Sequence, residues 1–221
     1  EDDRFWNLAD PGWAYGLYFG ITGPLFLGHA ILFYDGGFST DSLCQIVKDY
    51  QITNLAGAPT AYRMMMAADP AQMAALKGQF RVVSSAGEPL NPEVIRWFKQ
   101  ELDAPIYDHY GQTEVGMVVC NHHGLSHEVR AGSAGFASAG YRVAVVNEQG
   151  EELPADTPGI LAVDISQSPM MWFGGYHETR KSPFIGQYYL TGDTAELHAD
   201  GSMSFVGRSD DVITTSGYRI G

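Results

Sequence analysis

The chain has 221 residues, 45% of them hydrophobic and 12% aromatic, enough to bury a core in one large domain or two small ones. Acidic residues outnumber basic ones 26 to 13, and the net charge of -13 argues against a nucleic-acid backbone or an anionic membrane surface as the main partner. Two cysteines, Cys44 and Cys120, stand far apart without a metal-ligand spacing, so neither a disulfide framework nor a structural zinc site is indicated and a reducing, cytoplasmic setting fits.

The opening residues EDDRFWNLADPGW are acidic and aromatic, without the basic start and apolar centre of a secretory signal, and read as the middle of a larger protein. Residues Pro11 to Tyr34 carry no charged side chain, but Gly12, Gly16, Gly20, Gly23, Pro24 and Gly28 interrupt the run and acidic residues flank it. The pattern predicts buried core and no membrane span. Ser39 or Thr40 caps a helix with Leu43, Ile46, Val47 and Tyr50 on one face, ITNLAGAP reads as a buried strand, and Pro59 opens a helix reaching Met64, Met65 and Met66. The unit repeats: Phe80 to Ser84 as strand, SAGEPL as turn, Asn91 and Pro92 opening a helix that turns Ile95, Phe98 and Leu102 inward, and Ile106 to His109 as the next strand. This is the pattern of a mainly parallel βαβ sheet, in which ligands gather at the carboxyl ends of strands, and both SAGEPL and YGQTE follow such ends.

After about residue 125 the texture changes to short β segments, YRVAVVN, GILAVDI, QYYLTGD, TAELH and SMSFVG, separated by EQGEE, ADTPG and HADG turns. The fold class is therefore α/β: residues 1–125 form a parallel βαβ subdomain, 126–206 a small antiparallel sheet or barrel, and 207–221 a trailing segment.

Within YGQTE, Gly111 lets backbone approach a ligand, Thr113 offers a hydroxyl and amide, and Glu114 is a hard oxygen ligand, a set suited to a phosphate with Mg²⁺; the five residues taken alone favour an ordinary turn in which Thr113 caps and Glu114 is solvated. In SAGEPL, Gly87 permits close approach, while Glu88 and Pro89 stiffen a wall. Asp193 after Gly192 has the acceptors for both hydroxyls of a ribose, or for a local Asx turn. Arg208 after Gly207 has the planar fork for a phosphate, or for an ion pair with Asp210 or Asp211. His122, His123 and His127 beside Cys120 invite a zinc reading, which the glycine within CNHHGLSH disfavours. No GxSxG, GxxxxGK[ST] or GxGxxG string occurs, so a hydrolase elbow, a Walker loop and a Rossmann fingerprint have no support.

Taken in order, ADPGW, GAPTAYRMM, SSAGEPL, YGQTEVG, the GGY at 174–176, TGD and GRSDDVITTSGYRIG resemble the adenylate-forming acyl-CoA synthetases, in wording most like the medium-chain members. The resemblance spans essentially the whole chain. It implies joining a small-molecule carboxylic acid, medium-chain or small aromatic, to ATP as an acyl-adenylate with release of pyrophosphate, then transfer to coenzyme A. It implies that Gly87, Glu88 and Pro89 line the adenine pocket, that Asp108, His109, Tyr110, Gly111, Gln112 and Thr113 run along adenine and α-phosphate, and that Glu114 holds Mg²⁺. Asp193 would bind ribose, Arg208 ribose or phosphate, and Ser216, Gly217, Tyr218 and Arg219 coenzyme A, with Asp210 the hinge to a mobile C-terminal domain. Thr113, Glu114 and Arg208 would act on the reacting groups, and the acyl pocket would pass Trp13 and Gly87. The family's lysine-terminated Gly-rich loop and its C-terminal domain would lie outside these residues, so the 221-residue chain alone is expected to be inactive. A non-catalytic nucleotide or acyl-binding module and an aryl-acid ligase of the coumarate type are the alternatives, and assembly into a homo-oligomer is left open.

Overall fold

The computed structural model describes residues 2–177 and 182–208, with the backbone of 213–215 and 218–220. The chain divides into two compact units, residues 1–108 and 109–221.

In the first unit, β1 (Arg4–Asn7) leads to α1 (Ala14–Leu17), a π-helical turn over Tyr18–Thr22, α2 (Gly23–Phe26) and β2 (Ala30–Leu32). Then come α3 (Thr40–Tyr50), β3 (Asn54–Gly57), α4 (Pro59–Met66), α5 (Pro70–Ala74), β4 (Val82–Ser85) and α6 (Pro92–Trp97), which a π-helical turn over Phe98–Leu102 extends. β5 (Ile106–Gln112) begins in this unit. Strands β2, β1, β3, β4 and the start of β5 pair in that order, all parallel, with Phe5 opposite Asn54, Val83 opposite Leu55, and Asp108 opposite Ser85. The expected βαβ sheet is present, and β3 and β4 are buried along their whole length, as strands covered on both faces must be.

Local signals explain the helices. The Ser39 side chain accepts from the Ser42 amide to cap α3, and the Asn91 side chain accepts from the Glu93 amide to cap α6. Proline opens α4 and α6 at the first helical position, where no amide is needed. Leu43, Ile46, Val47, Tyr62, Met65, Phe98 and Leu102 join one hydrophobic core with Leu55 and Val83. Tyr50, expected on the inward face of α3, is instead exposed at its last turn, where its carbonyl accepts from Arg4.

The glycine-rich run requires a correction. Instead of buried core, it forms short helical pieces whose large side chains point outward: Phe26 is 89% exposed and Leu27 69%. The buried positions are Gly16, Gly20 and Pro24. A Cβ at Gly16 would stand 2.1 Å from the Asp10 carbonyl oxygen, so the helix packs through its smallest residues and turns the bulky ones away. Among the described residues, no helix is long and apolar enough to cross a membrane.

In the second unit, the rest of β5 forms an antiparallel hairpin with β6 (Gly116–Cys120), followed by β7 (Phe136–Ala137). A second antiparallel sheet is ordered β10 (Phe184–Ile185), β11 (Tyr188–Leu197), β9 (Gly159–Asp164) and β8 (Val143–Val146), with β12 (Met203–Arg208) pairing the second half of β11 on the edge opposite β9. Backbone pairing also joins β13 (Ile213–Thr215) to β14 (Tyr218–Ile220). The core combines Val118 and Val119 with Val145, Leu161, Val163 and Tyr189, so residues 109–125 pack with this unit through the β5–β6 hairpin. The segments read separately as QYYLTGD and TAELH are one strand, β11, with pairing irregularities after Leu190 and Thr194 and Gly192 at φ +73°.

Candidate functional site

In the first unit the site residues lie on the loop between β4 and α6. Gly87 has φ +93°, a left-handed conformation that a side chain would strain, and a Cβ built there would meet nothing within 4 Å. Its backbone therefore borders open space on that side. Glu88 does the opposite. Its carboxylate accepts from Thr60 Oγ1 at 2.8 and 3.0 Å and from Arg63 Nη2 at 2.9 Å, both on the first turn and a half of α4, and its side chain is only 9% exposed. Two residues on, the Leu90 amide donates to Asp108 Oδ2 at 3.4 Å. Trp13 is half-exposed where α1 begins, its amide bonded to the Asp10 carbonyl. A separate cavity of about 590 Å³ lies along β2 and α3 between Phe5, Ile31, Phe33, Ile46 and Tyr50; Trp13, Gly87 and Asp108 are not among its walls.

In the second unit Asp193 is the centre of a polar cluster. It is 5% exposed and sits directly across from Arg208 on the neighbouring strand. Its Oδ2 accepts from the Tyr110 hydroxyl at 2.5 Å and from Gln112 Nε2 at 2.7 Å, and its Oδ1 accepts from Arg208 Nη1 at 2.9 Å. Gln112 also donates to the Thr191 carbonyl at 2.8 Å and accepts from the Tyr189 hydroxyl at 3.1 Å, which uses both ends of its amide. The Asp193 amide donates to Thr191 Oγ1, so backbone and side chain are both fixed. Burial, and then the adjacent Asp193 carboxylate, push the Tyr110 phenol well above its ordinary range, so it remains a donor.

Arg208 pairs with Asp193 across the two strands, while Asp210 and Asp211 lie outside the described residues. Asp193 is a cross-strand acceptor, not a turn carboxylate. The strand carrying YGQTE runs on to Gln112, past the expected end at His109, and Thr113 to Val115 form the hairpin turn. Gly111 is then required for packing: a Cβ there would lie 2.3 Å from the Gly116 carbonyl oxygen and 2.7 Å from Met117 Sδ. Thr113 is exposed in the turn, and Glu114 Oε1 accepts from the Tyr176 hydroxyl at 2.6 Å. His109 is buried, and burial, reinforced by His123 and His122, lowers its pKa to about 3, so the ring is neutral at physiological pH. The His127 ring accepts from the His122 amide, and among the described residues no group of three or more His, Cys, Asp or Glu is placed to hold a metal ion. Asp210, Ser216 and Gly217 lie outside the described residues, as do the side chains of Tyr218 and Arg219.

Sequence reasoning passed over Thr60, Arg63, Tyr176, Tyr189 and Thr191, which touch the singled-out residues and hold them. The three-residue spacing of Thr60 and Arg63, which puts two polar groups on one face of a helix opening just after a strand, was the available signal.

A family model described as AMP-binding enzyme matches residues 1–176. The chain belongs to the AMP-binding enzyme family. Members of the family similar to it include the mitochondrial acyl-coenzyme A synthetase ACSM4 of Rattus norvegicus, 35% identical over 226 residues, which cover all of this chain and 38% of that protein. The acetyl-coenzyme A synthetase of Bacillus subtilis strain 168 is 38% identical over 228 residues, covering all of this chain and 39% of its own length. The crystal structure of an acyl-CoA synthetase from Brucella canis superposes with a TM-score of 0.89 at 60% identity, covering all of this chain and 41% of that one. The chain thus spans about two fifths of the length of the relatives it matches. The α/β sheet followed by an antiparallel β unit is the architecture it shares with them.

Proposed function

We propose that this chain is the nucleotide-handling part of an AMP-forming acid-thiol ligase, an acyl-CoA synthetase acting on a medium-chain or small aromatic carboxylic acid. The observation that carries the reading is the Asp193 cluster: a buried carboxylate held by three donors, with an arginine across from it on the next strand. An ionised carboxylate has about four acceptor positions, and three are filled, so one ribose hydroxyl fits on Oδ1 while a second requires a donor to leave. Arg208 is the donor placed to move, since its fork can turn from carboxylate to phosphate.

In the proposed reaction a carboxylate oxygen of the acid attacks the α-phosphorus of ATP and pyrophosphate leaves; the coenzyme A thiol then attacks the acyl carbonyl and AMP leaves. Charge builds on phosphate oxygens, and fixed donors stabilise it without a covalent enzyme intermediate. Gly87 and Pro89 supply backbone and ring surface for adenine, Asp108 and Tyr110 border the nucleotide, and Thr113 offers its exposed hydroxyl to the α-phosphate. Mg²⁺, when bound, neutralises phosphate charge; Glu114 would hold it, a fit supported by its single hard carboxylate, because Mg²⁺ takes one or two protein carboxylates and completes its shell from phosphate and water. Ser216, Gly217, Tyr218 and Arg219 are proposed to meet coenzyme A, and Asp210 to serve as hinge in the 207–221 segment. Trp13 is proposed to border the acyl group. The free thiols of Cys44 and Cys120 suit a reducing compartment, proposed to be the cytoplasm.

Acid-dependent ATP–pyrophosphate exchange and hydroxamate trapping across acetate, octanoate and benzoate test the proposal in the complete polypeptide that carries these residues. Exchange with octanoate or benzoate is expected; benzoate alone would favour an aryl-acid ligase, and nucleotide binding without exchange on any acid would overturn catalysis. The 221-residue chain by itself is proposed to show no exchange, because the family's lysine-terminated Gly-rich loop is not among its residues.

A further inference from the structure

Glu88 lies in the loop where adenine is proposed to sit, yet its side chain is turned away and committed to α4. Thr60 Oγ1 donates to its carboxylate, and Arg63 Nη2 donates both to that carboxylate and to Thr60 Oγ1, the latter at 2.7 Å, closing a three-residue ring of hydrogen bonds. From between Thr60 and Arg63 on α4, the Tyr62 hydroxyl donates to the Ser84 carbonyl at 2.5 Å, gripping β4 just before the loop begins. Tyr62 is fully buried, so that bond is shielded from water. The Leu90 amide on Asp108 holds the far end. The loop is thus fastened before, within and after Gly87, while Gly87 itself, at φ +93° with open space beyond its Cα, is left as the surface offered outward.

We infer that Thr60 and Arg63 are positioning residues for nucleotide binding: through Glu88 they latch the Gly87–Pro89 loop to α4 and fix the backbone that meets the base. The inference rests on the reading of that loop as an adenine wall. A side chain turned inward to the Thr60 hydroxyl and the Arg63 guanidinium is not aimed at a ligand, so its value to binding is the order it imposes on its neighbours. Ordering a loop in advance lowers the entropy cost of binding, and the latch is expected to act on nucleotide affinity and not on the chemical step or the acid. Thr60 is the stronger member, since its hydroxyl bridges both partners; Arg63 is half-exposed and partly screened by solvent.

Two measurements test this. In the complete polypeptide, Thr60→Val is expected to raise KM for ATP in pyrophosphate exchange about ten-fold, with Arg63→Met weaker, Thr60→Ser near wild type, and KM for the acid unchanged. In the 221-residue chain, amide hydrogen exchange of residues 86–90 is expected to quicken in Thr60→Val and Arg63→Met while β3 and β4 keep wild-type protection. Unchanged loop exchange in both variants overturns the latch. A quickened loop with KM for ATP within about two-fold of wild type overturns its role in nucleotide binding. A parallel rise in KM for the acid marks a general structural defect and also overturns it. Absence of exchange activity in the wild-type polypeptide sinks the synthetase reading instead, and the hydrogen-exchange result still decides the latch.

Discussion

Removing the Asp193 carboxylate should cost the second unit more than removing any one of its donors, because the geometry is that of a hub. Asp193→Ala leaves Arg208 Nη1, the Tyr110 hydroxyl and one Gln112 bond without their acceptor in a place where Asp193 is 5% exposed and the Arg208 side chain 16%. Breaking a buried pair from one side costs about 3 to 5 kcal/mol, whereas deleting one donor to a charged acceptor costs about 1.5 to 3 kcal/mol. Arg208→Met and Tyr110→Phe each leave two donors on Asp193, so both belong to the smaller class. With a urea dependence of about 2 to 3 kcal/mol per molar, Asp193→Ala lowers the unfolding midpoint by about 1 to 2.5 M. Circular dichroism during urea titration of the 221-residue chain reads it. An Asp193→Ala midpoint equal to that of wild type, or above that of Tyr110→Phe, would refute the hub.

Gly111→Ala forces a methyl to 2.3 Å from the Gly116 carbonyl oxygen, and the hairpin must open to admit it; a loss of about 1 to 3 kcal/mol in thermal or urea unfolding is expected, and no loss would show that the close approach is relieved elsewhere. The pH dependence of stability carries the signature of His109. Its unfolded ring takes a proton near its ordinary 6.5 while the folded ring resists until about 3, so its contribution is present above pH 6.5 and is lost as pH falls between those values. The slope is about 1.4 kcal/mol per pH unit, and urea midpoints from pH 7 to 4.5 should fall less steeply in His109→Gln than in wild type. Burial raises both cysteine thiols above 9.0, so Ellman's reagent at neutral pH should modify Cys44 and Cys120 far more slowly in the native chain than in urea; equal rates would contradict the packing around them.

The parallel sheet was legible because its signals are local. Ser39, Asn91 and the two N1 prolines mark helix starts by chemistry a few residues long, and Leu43, Ile46 and Val47 repeat at helical spacing. The glycine-rich run was misread because composition gives apolarity without direction: glycine packs as tightly as any residue, and here it takes the inner face while Phe26 and Leu27 take the outer. At the candidate site the motifs single out residues but not the partners that hold them. Asp193 and Arg208 are 15 positions apart, and only the register of β11 on β12 makes them neighbours. Tyr110 lies 83 positions from Asp193, and nothing periodic in the sequence links the two.

This division has a physical cause. A ligand-facing atom must be unencumbered on one side, so the chain spends glycine, or a carboxylate with one open lone pair, at the surface it offers. Holding that atom still requires donors behind it, and these come from whichever elements the fold brings close. At Asp193 they are an aromatic hydroxyl, an amide and a guanidinium on two other strands; at Glu88 they are a hydroxyl and a guanidinium on one helix turn. The residue carrying the recognisable motif is then only half of each device. Glu88 shows this most clearly: the motif marks it as stiffening a wall, and only the fold shows that its carboxylate is held by Thr60 and Arg63 of α4. A Glu88→Gln substitution keeps its size and its acceptor oxygen yet loses the charge that draws Arg63. It should therefore loosen the loop less than Thr60→Val, an order that hydrogen exchange at Gly87 can establish and that the opposite ranking would refute.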